Sequence, residues 1–260
     1  MKKIGILGGV GGASTLDYYR GICAGSQKIQ AAKTLHTQGG PVPCPRITIE
    51  SVNQAETRSL RGNPGDEESW SAFDAVFRNA LLVLQQAGCD FAVIASNTPH
   101  ARLHALRQGV EMPVLSIFEA TAKATAQATT KTTTQATAQG CAGTALVIGT
   151  RVTMQSRSYA EYLAQHGVRG NDPLPDAEIS EAQAMIDEDF HGGASAHARA
   201  RLLRFCQKHA KAQQVVILAC TELPLAFPDH IDDVVFEAEG FLFVNPSAAH
   251  VAAAIQRAMG

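Results

Sequence analysis

The sequence predicts an α/β protein of two similar lobes, each built on a parallel sheet. Three observations predict it. Short apolar runs without polar alternation alternate with longer segments of helical spacing, the pattern of βαβ units. Two strand-to-turn signals also recur in the same order in each half. Ile4-Gly5-Ile6-Leu7-Gly8-Gly9 is echoed by Ala145-Leu146-Val147-Ile148-Gly149-Thr150, and Phe91 to Pro99 is echoed by Val215 to Pro224. Finally, Gly8-Gly9, Ser96, Thr150 and Cys220 all follow such runs, and open α/β sheets bind ligands at the carboxyl ends of their strands. The echo places the active site in a cleft between the lobes, to which each contributes one strand end.

The expected strands are 3–7, 47–52, 91–95, 114–117, 145–148, 215–219 and 241–244. Their lack of alternation marks strands covered on both faces. Helical spacing covers about 68–87, where Phe73, Val76, Phe77, Ala80, Leu81 and Leu84 fall on one side. Further helices follow Ser158 and cover 196–210 and 248–259. The segment 120–139 is nearly all Ala, Thr, Gln and Lys. It reads as a surface helix joining the lobes, weakened by its threonines, or as a low-complexity linker. The expected division is 1–117 plus 228–260 for one lobe and 118–227 for the other.

Composition narrows the function. Of 260 residues, 45% are hydrophobic and 18% charged, which is globular. The net charge of −2 and the lack of any Lys/Arg run give no footprint for nucleic acid. No stretch approaches the roughly 18 apolar residues of a membrane span, and the short apolar start is broken by glycines, so a cytoplasmic protein is expected. The six cysteines (Cys23, Cys44, Cys89, Cys141, Cys206 and Cys220) form no C-x-x-C and no zinc spacing, so no metal is expected. Most should be reduced, buried apolar residues.

The loop Gly8-Gly9-Val10-Gly11-Gly12-Ala13-Ser14-Thr15 lies between a strand and a helix. Its glycines allow a tight turn and close approach of a ligand, and the helix start offers N–H groups to an anion. The dinucleotide fingerprint fails, because Ser14 occupies its final glycine position and no acid ends the next strand about 20 residues on. A small carboxylate fits better than a nucleotide. Ser96-Asn97-Thr98-Pro99-His100 offers two hydroxyls and an amide to a carboxylate, although Ser96 or Thr98 could instead cap a helix. His100, one turn into that helix, reads more readily as structural than as a base. Cys220-Thr221-Glu222 is the sharper signal. A thiol at a helix N-terminus is favoured as thiolate, Thr221 can orient substrate or cap the helix, and the Glu222 charge opposes the thiolate.

These segments resemble the aspartate/glutamate racemase superfamily, and its aspartate racemase branch most closely. Ile4 to Thr15 is similar to that branch's glycine-rich opening loop. Ser96-Asn97-Thr98-Pro99-His100 is similar to its CNT-x-H motif. Val147 to Thr153 is similar to its LGT-x-x-T motif, with Tyr159 at the usual place after it. Leu218 to Pro224 is similar to its GCTE motif. The resemblance implies Rossmann-like lobes, a homodimer, and racemisation without pyridoxal phosphate, metal or other cofactor. It implies Cys220 as one acid/base, with Ser96 standing where the family has its other cysteine. Gly9, Asn97, Thr98, Thr150, Thr153 and Thr221 would hold a small carboxylate or amino-acid substrate, and Arg58 its distal carboxylate. Arg61 and His191 are further candidates for that last role.

A serine hydroxyl is far less acidic than a thiol, whose free pKa is about 8.5. Several readings therefore stay open. The chain is an asymmetric racemase of aspartate or glutamate; or a related decarboxylase, isomerase or hydantoin racemase using Cys220 alone; or a carboxylate-binding module or disarmed Cys-to-Ser variant.

Overall fold

A computed structural model describes residues 1–33, 44–131, 143–190, 194–211 and 214–260. The chain divides into two compact units, 1–116 with 250–260, and 117–249.

The first unit holds a three-stranded parallel sheet of order β2-β1-β3. Its strands are β1 (Ile4–Gly8), β2 (Ile47–Ser51) and β3 (Phe91–Ile94). Every residue of β1 and β3 is buried, which is why both read as unbroken apolar runs. β2 is an edge strand and leaves Ile49 exposed. Helix Gly12–Lys33 follows β1, and helix Ser71–Gln86 buries Phe73, Phe77, Ala80, Leu81 and Leu84, the side the spacing picks out. The expected strand 114–117 is reduced to one bridge, Val114 to Ala92. Helix Pro246–Met259 closes this core with Ala254, Ile255 and Ala258 against Tyr18, Ile22 and Phe91.

The second unit holds a five-stranded sheet of order β5-β4-β6-β8-β7. Its strands are β4 (Thr144–Gly149), β5 (Arg169–Gly170), β6 (Val215–Ala219), β7 (Val235–Ala238) and β8 (Phe241–Val244). β7 alone runs antiparallel, in a hairpin with β8 through Glu239 and Gly240, both at positive φ. The sequence echo is visible in both sheets. β1 pairs with β3 in parallel as β4 pairs with β6, and β2 flanks β1 as β5 flanks β4.

Two expectations are corrected here. Residues 228–249 do not join the first unit, because Val215–Ile217 pair with Leu242–Val244 and carry the β7–β8 hairpin into the second sheet; only 250–260 return. The Thr-rich segment is not a surface helix where it is described. Helix Ile117–Lys131 buries Thr121 and Thr125 completely and packs on helix Ser158–Gln165 and on β6. Each buried hydroxyl donates to the carbonyl four residues earlier, Thr121 to Ile117 at 2.7 Å and Thr125 to Thr121 at 2.8 Å. With the hydroxyl satisfied, threonine packs much as valine does. Residues 132–139 lie outside the described residues, as do Cys141 and His191.

No helix among the described residues is long and apolar enough to cross a membrane.

Candidate active site

In the first unit the candidate residues gather at the carboxyl ends of neighbouring strands. Leu7 and Ile94 are register partners, so the loop from Gly8 and the segment from Ala95 leave the sheet side by side. Ser96, Asn97 and Thr98 are all buried there. A 3₁₀ turn, Thr98–Arg102, replaces the expected helix start, and Asn97 heads it without a side-chain cap. The Ser96 N–H folds back onto the Ile94 carbonyl at 2.8 Å, so it is not aimed at a ligand. The His100 Nε2–H donates to the same carbonyl at 3.3 Å. His100 is thus structural: burial lowers its pKa to about 4, and the neutral ring lies edge-on to His250, 5.3 Å between centroids.

Gly9 departs from the anion-binding expectation. It has φ +85°, and its N–H donates to Thr15 Oγ1 at 2.9 Å. A Cβ there would meet the Val52 carbonyl oxygen at 2.0 Å, so the glycine serves close backbone approach to the end of β2. Arg58 is half-buried in the last turn of helix Gln54–Ser59, which follows β2, and Arg61 is half-buried just beyond it.

In the second unit Gly149 and Ala219 are register partners, and Thr150 and Cys220 follow them on adjacent strands. A Cβ on Gly149 would lie 2.6 Å from the Ala219 carbonyl oxygen, so glycine lets the two strand ends close up. Thr150 caps helix Arg151–Gln155, accepting from the Thr153 N–H at 3.5 Å, and the two hydroxyls lie 3.1 Å apart. Thr153 is fully buried. Cys220 is 6% exposed, and its sulfur lies 3.8 Å from Glu222 Oε2. Thr221 is half-buried beside it.

The expected helix after Cys220 is corrected. A turn and two short 3₁₀ segments, Leu223–Ala226 and Pro228–His230, follow instead, so no macrodipole of useful length bears on the thiol. Pro228, four residues after Pro224, already limits any helix there.

Tyr159 lies within electrostatic reach of Cys220, and Thr121 hydrogen-bonds Tyr159. The Tyr159 hydroxyl is held well above its ordinary pKa, first by burial and also by the charge of Cys220, while a hydrogen bond with Thr121 works the other way. It is therefore a proton donor or fixed dipole at neutral pH, not a base. Sequence reasoning misses Thr121, because it lies in a segment that reads as low complexity.

The described residues hold one grouping with metal-like donors, Glu178, Glu181 and His209. The Lys208 ammonium already bridges both carboxylates, at 2.6 and 3.1 Å, and fills the place of a cation.

The model of the Asp/Glu/Hydantoin racemase family matches residues 7–254. The chain belongs to that family. It is 26% identical over 230 residues to a broad specificity amino-acid racemase of Bacillus subtilis (strain 168), covering 88% of each chain. The crystal structure of an aspartate racemase homologue from Pyrococcus horikoshii superposes with TM-score 0.66 at 26% identity, over 100% of both chains. The aspartate racemase of Picrophilus torridus gives TM-score 0.69 over 99% of this chain and 94% of its own. At 18% identity that likeness speaks for the fold alone.

Proposed function

We propose that the chain is a cofactor-independent racemase of an acidic amino acid, aspartate or glutamate, with Cys220 and Ser96 as its two proton-transferring groups. The observation that carries this reading is the setting of Cys220 in a racemase-family chain. It is a buried thiol at the end of β6, level with the Thr150–Thr153 hydroxyl pair at the end of β4.

In this scheme Cys220 and Ser96 serve opposite faces of the substrate α-carbon. One group takes the α-proton and leaves the electron pair on carbon; the other returns a proton to the far face. The α-proton is weakly acidic beside a carboxylate, so fixed dipoles in a water-poor site must supply much of the rate. Asn97, Thr98, Thr150, Thr153 and Thr221 would hold the α-carboxylate and amine, and Arg58 the distal carboxylate. The Gly9 loop would shape the site through its backbone path. The family resemblance supports a homodimer as the working assembly.

The serine favours a second reading. Its hydroxyl is a poor base at neutral pH, so the chain would be a disarmed racemase that retains the binding site.

The test is α-proton exchange in D₂O with L- and D-aspartate and L- and D-glutamate, without added cofactor. Proton NMR follows the α-H, and chiral chromatography follows inversion. Exchange with inversion is expected, falling by roughly 10²- to 10⁴-fold in Cys220→Ala. Activity confined to Ser96→Cys would establish the second reading. Silence of both proteins on all four substrates would overturn the acidic amino-acid assignment.

A further inference from the structure

Outside the proposed site, three donor groups converge between two helices of the second unit. Glu178 and Glu181 lie one turn apart on helix Asp176–Asp189, so both carboxylates share one face. His209 is the last residue of helix Ala196–His209, which packs on the first. One ligand atom from each of the three lies within 4.8 Å of the others.

The imidazole is the unusual member. Its side chain is 10% exposed, and Nε2 makes no hydrogen bond among the described residues although Glu178 Oε2 stands 3.0 Å away. The ring nitrogen thus faces a carboxylate that lies off its bonding direction. A buried nitrogen left so is costly, and an electron-pair acceptor shared with the carboxylate would satisfy it. The Phe205 ring, 4.4 Å away between centroids, fixes the imidazole from one turn earlier. Phe205 and Cys206 on one helix and Ala182, Met185 and Ile186 on the other belong to one buried core, so the helices that carry the donors are held together.

We propose that Glu178, Glu181 and His209 form a zinc(II) site. Two carboxylates and one imidazole, with water as the fourth ligand, make a tetrahedral set. Zinc bonds of about 2.0–2.2 Å to nitrogen and oxygen put neighbouring ligand atoms about 3.3 Å apart. His209 Nε2 and Glu178 Oε2 are near that separation at 3.0 Å, and Glu181, 43% exposed, has room to rotate inward. The imidazole selects the class of ion, because magnesium and calcium prefer shells of oxygen alone whereas zinc accepts nitrogen.

Lys208 is the competitor. Its ammonium holds Glu178 at 2.6 Å and Glu181 at 3.1 Å, with one charge where zinc brings two. Its side chain is 51% exposed, so it can withdraw to solvent when zinc takes the carboxylates, and exposed ion pairs of this kind are worth little. His209 binds through the Nε2 lone pair with its proton on Nδ1. The ion joins the end of one helix to the start of the other and involves no residue assigned to proton transfer.

The experiment uses the full chain, stripped of metal with a chelator and titrated with zinc chloride at micromolar protein by calorimetry. One zinc per chain is expected, with a rise in melting temperature that magnesium does not give. Cysteines also bind zinc, so cobalt(II) is the second probe. Carboxylate and imidazole ligands give visible d–d bands without the intense near-ultraviolet band of thiolate ligation. His209→Gln and Glu181→Gln should each weaken binding by at least about tenfold, since direct ligands matter no less than the groups that orient them. Lys208→Gln removes the competitor and should tighten binding severalfold. Melts without metal show that the variants fold; should His209→Gln fail to, the more exposed Glu181→Gln decides. No uptake of zinc, a thiolate band with cobalt, undiminished binding in Glu181→Gln, or binding no tighter in Lys208→Gln would each overturn the proposal.

Discussion

Ser14 and Ala95 stand 81 residues apart, and the Ser14 hydroxyl donates to the Ala95 carbonyl at 3.0 Å. The same hydroxyl lies 2.8 Å from the Gly11 carbonyl, so one buried proton is shared between the glycine loop and the residue before Ser96. His100 holds the preceding carbonyl, that of Ile94. Two side chains thus fix the backbone that presents Ser96. Ser14→Ala is expected to lower stability by about 1 kcal/mol in urea unfolding. If Ser96 takes part in proton transfer, the variant should lose kcat more than it raises KM, because it disturbs a reacting group rather than a binding contact. An unchanged kcat in a destabilised variant would confine Ser14 to the fold.

The buried imidazoles make the first unit acid-sensitive. His100 is neutral when folded, with its pKa lowered by burial from 6.5 to about 4. His250 is also lowered well below 6.5, by burial and then by His100, and its Nδ1 accepts from the Tyr18 hydroxyl at 2.9 Å while its Nε2 donates to the Leu115 carbonyl. Between the two values for His100 the unfolded chain carries a proton that the folded chain lacks. Stability is therefore full above pH 6.5 and falls as pH drops toward 4, by roughly 3 kcal/mol for His100 alone. Urea unfolding of the unmutated protein and His100→Asn at pH 7 and pH 5 checks this. The variant should lose less stability between the two, and equal losses would disprove the assignment.

The Thr98–Arg102 turn is held from outside. Arg102, 8% exposed in its side chain, binds Asp74 at 2.6 and 3.2 Å, reaches Glu67 at 2.7 Å, and lies over the Trp70 ring at 5.3 Å. Removing the Asp74 carboxylate leaves a buried guanidinium with the exposed Glu67 as its remaining ionic partner in this group. Asp74→Ala should cost roughly 3 kcal/mol, while Asp74→Ala with Arg102→Met should cost less than the two single changes together. Strict additivity in chemical denaturation would mean the ion pair is energetically silent.

Gly9 gives a backbone prediction. Its φ is positive, and a Cβ at this position would lie 2.0 Å from the Val52 carbonyl oxygen, which leaves no room for a side chain. Gly9→Ala should destabilise by roughly 1–3 kcal/mol in urea unfolding. Gly12→Ala, where a Cβ would meet nothing within 4 Å, should be tolerated and serves as the control.

Much of this arrangement is legible in the sequence because burial writes itself into composition. β1, β3, β4 and β6 are covered on both faces and so appear as apolar runs. Their shared order exposes the repeat from the residues alone. What escapes depends on contacts rather than on pattern. β5 is two residues long, and β7 is a half-buried edge strand without a run to read. The buried face of 117–131 is invisible because a threonine signals a surface or a turn until its hydroxyl is known to bond its own helix. The Gly9 N–H reads as open to an anion, but Thr15 already accepts it. Pro224 and Pro228 signal the short 3₁₀ segments after Cys220, yet the strand-then-helix pattern around them points the other way.

That last difference bears on how Cys220 is tuned. No long helix stands behind it, and the Glu222 carboxylate lies 3.8 Å from the sulfur. A carboxylate so placed opposes a second negative charge and favours the protonated thiol. Replacing it by the amide removes that charge while keeping the shape. Glu222→Gln should therefore speed alkylation of Cys220 by iodoacetamide by roughly tenfold at pH 7, since the thiolate is the reacting form. Because iodoacetamide is uncharged, the change reports on the thiol and not on attraction of the reagent. Slower alkylation in Glu222→Gln would instead mean that the carboxylate draws the thiol proton away. Glu222 would then be the partner that activates Cys220, and proton exchange at the substrate α-carbon should fall in the same variant.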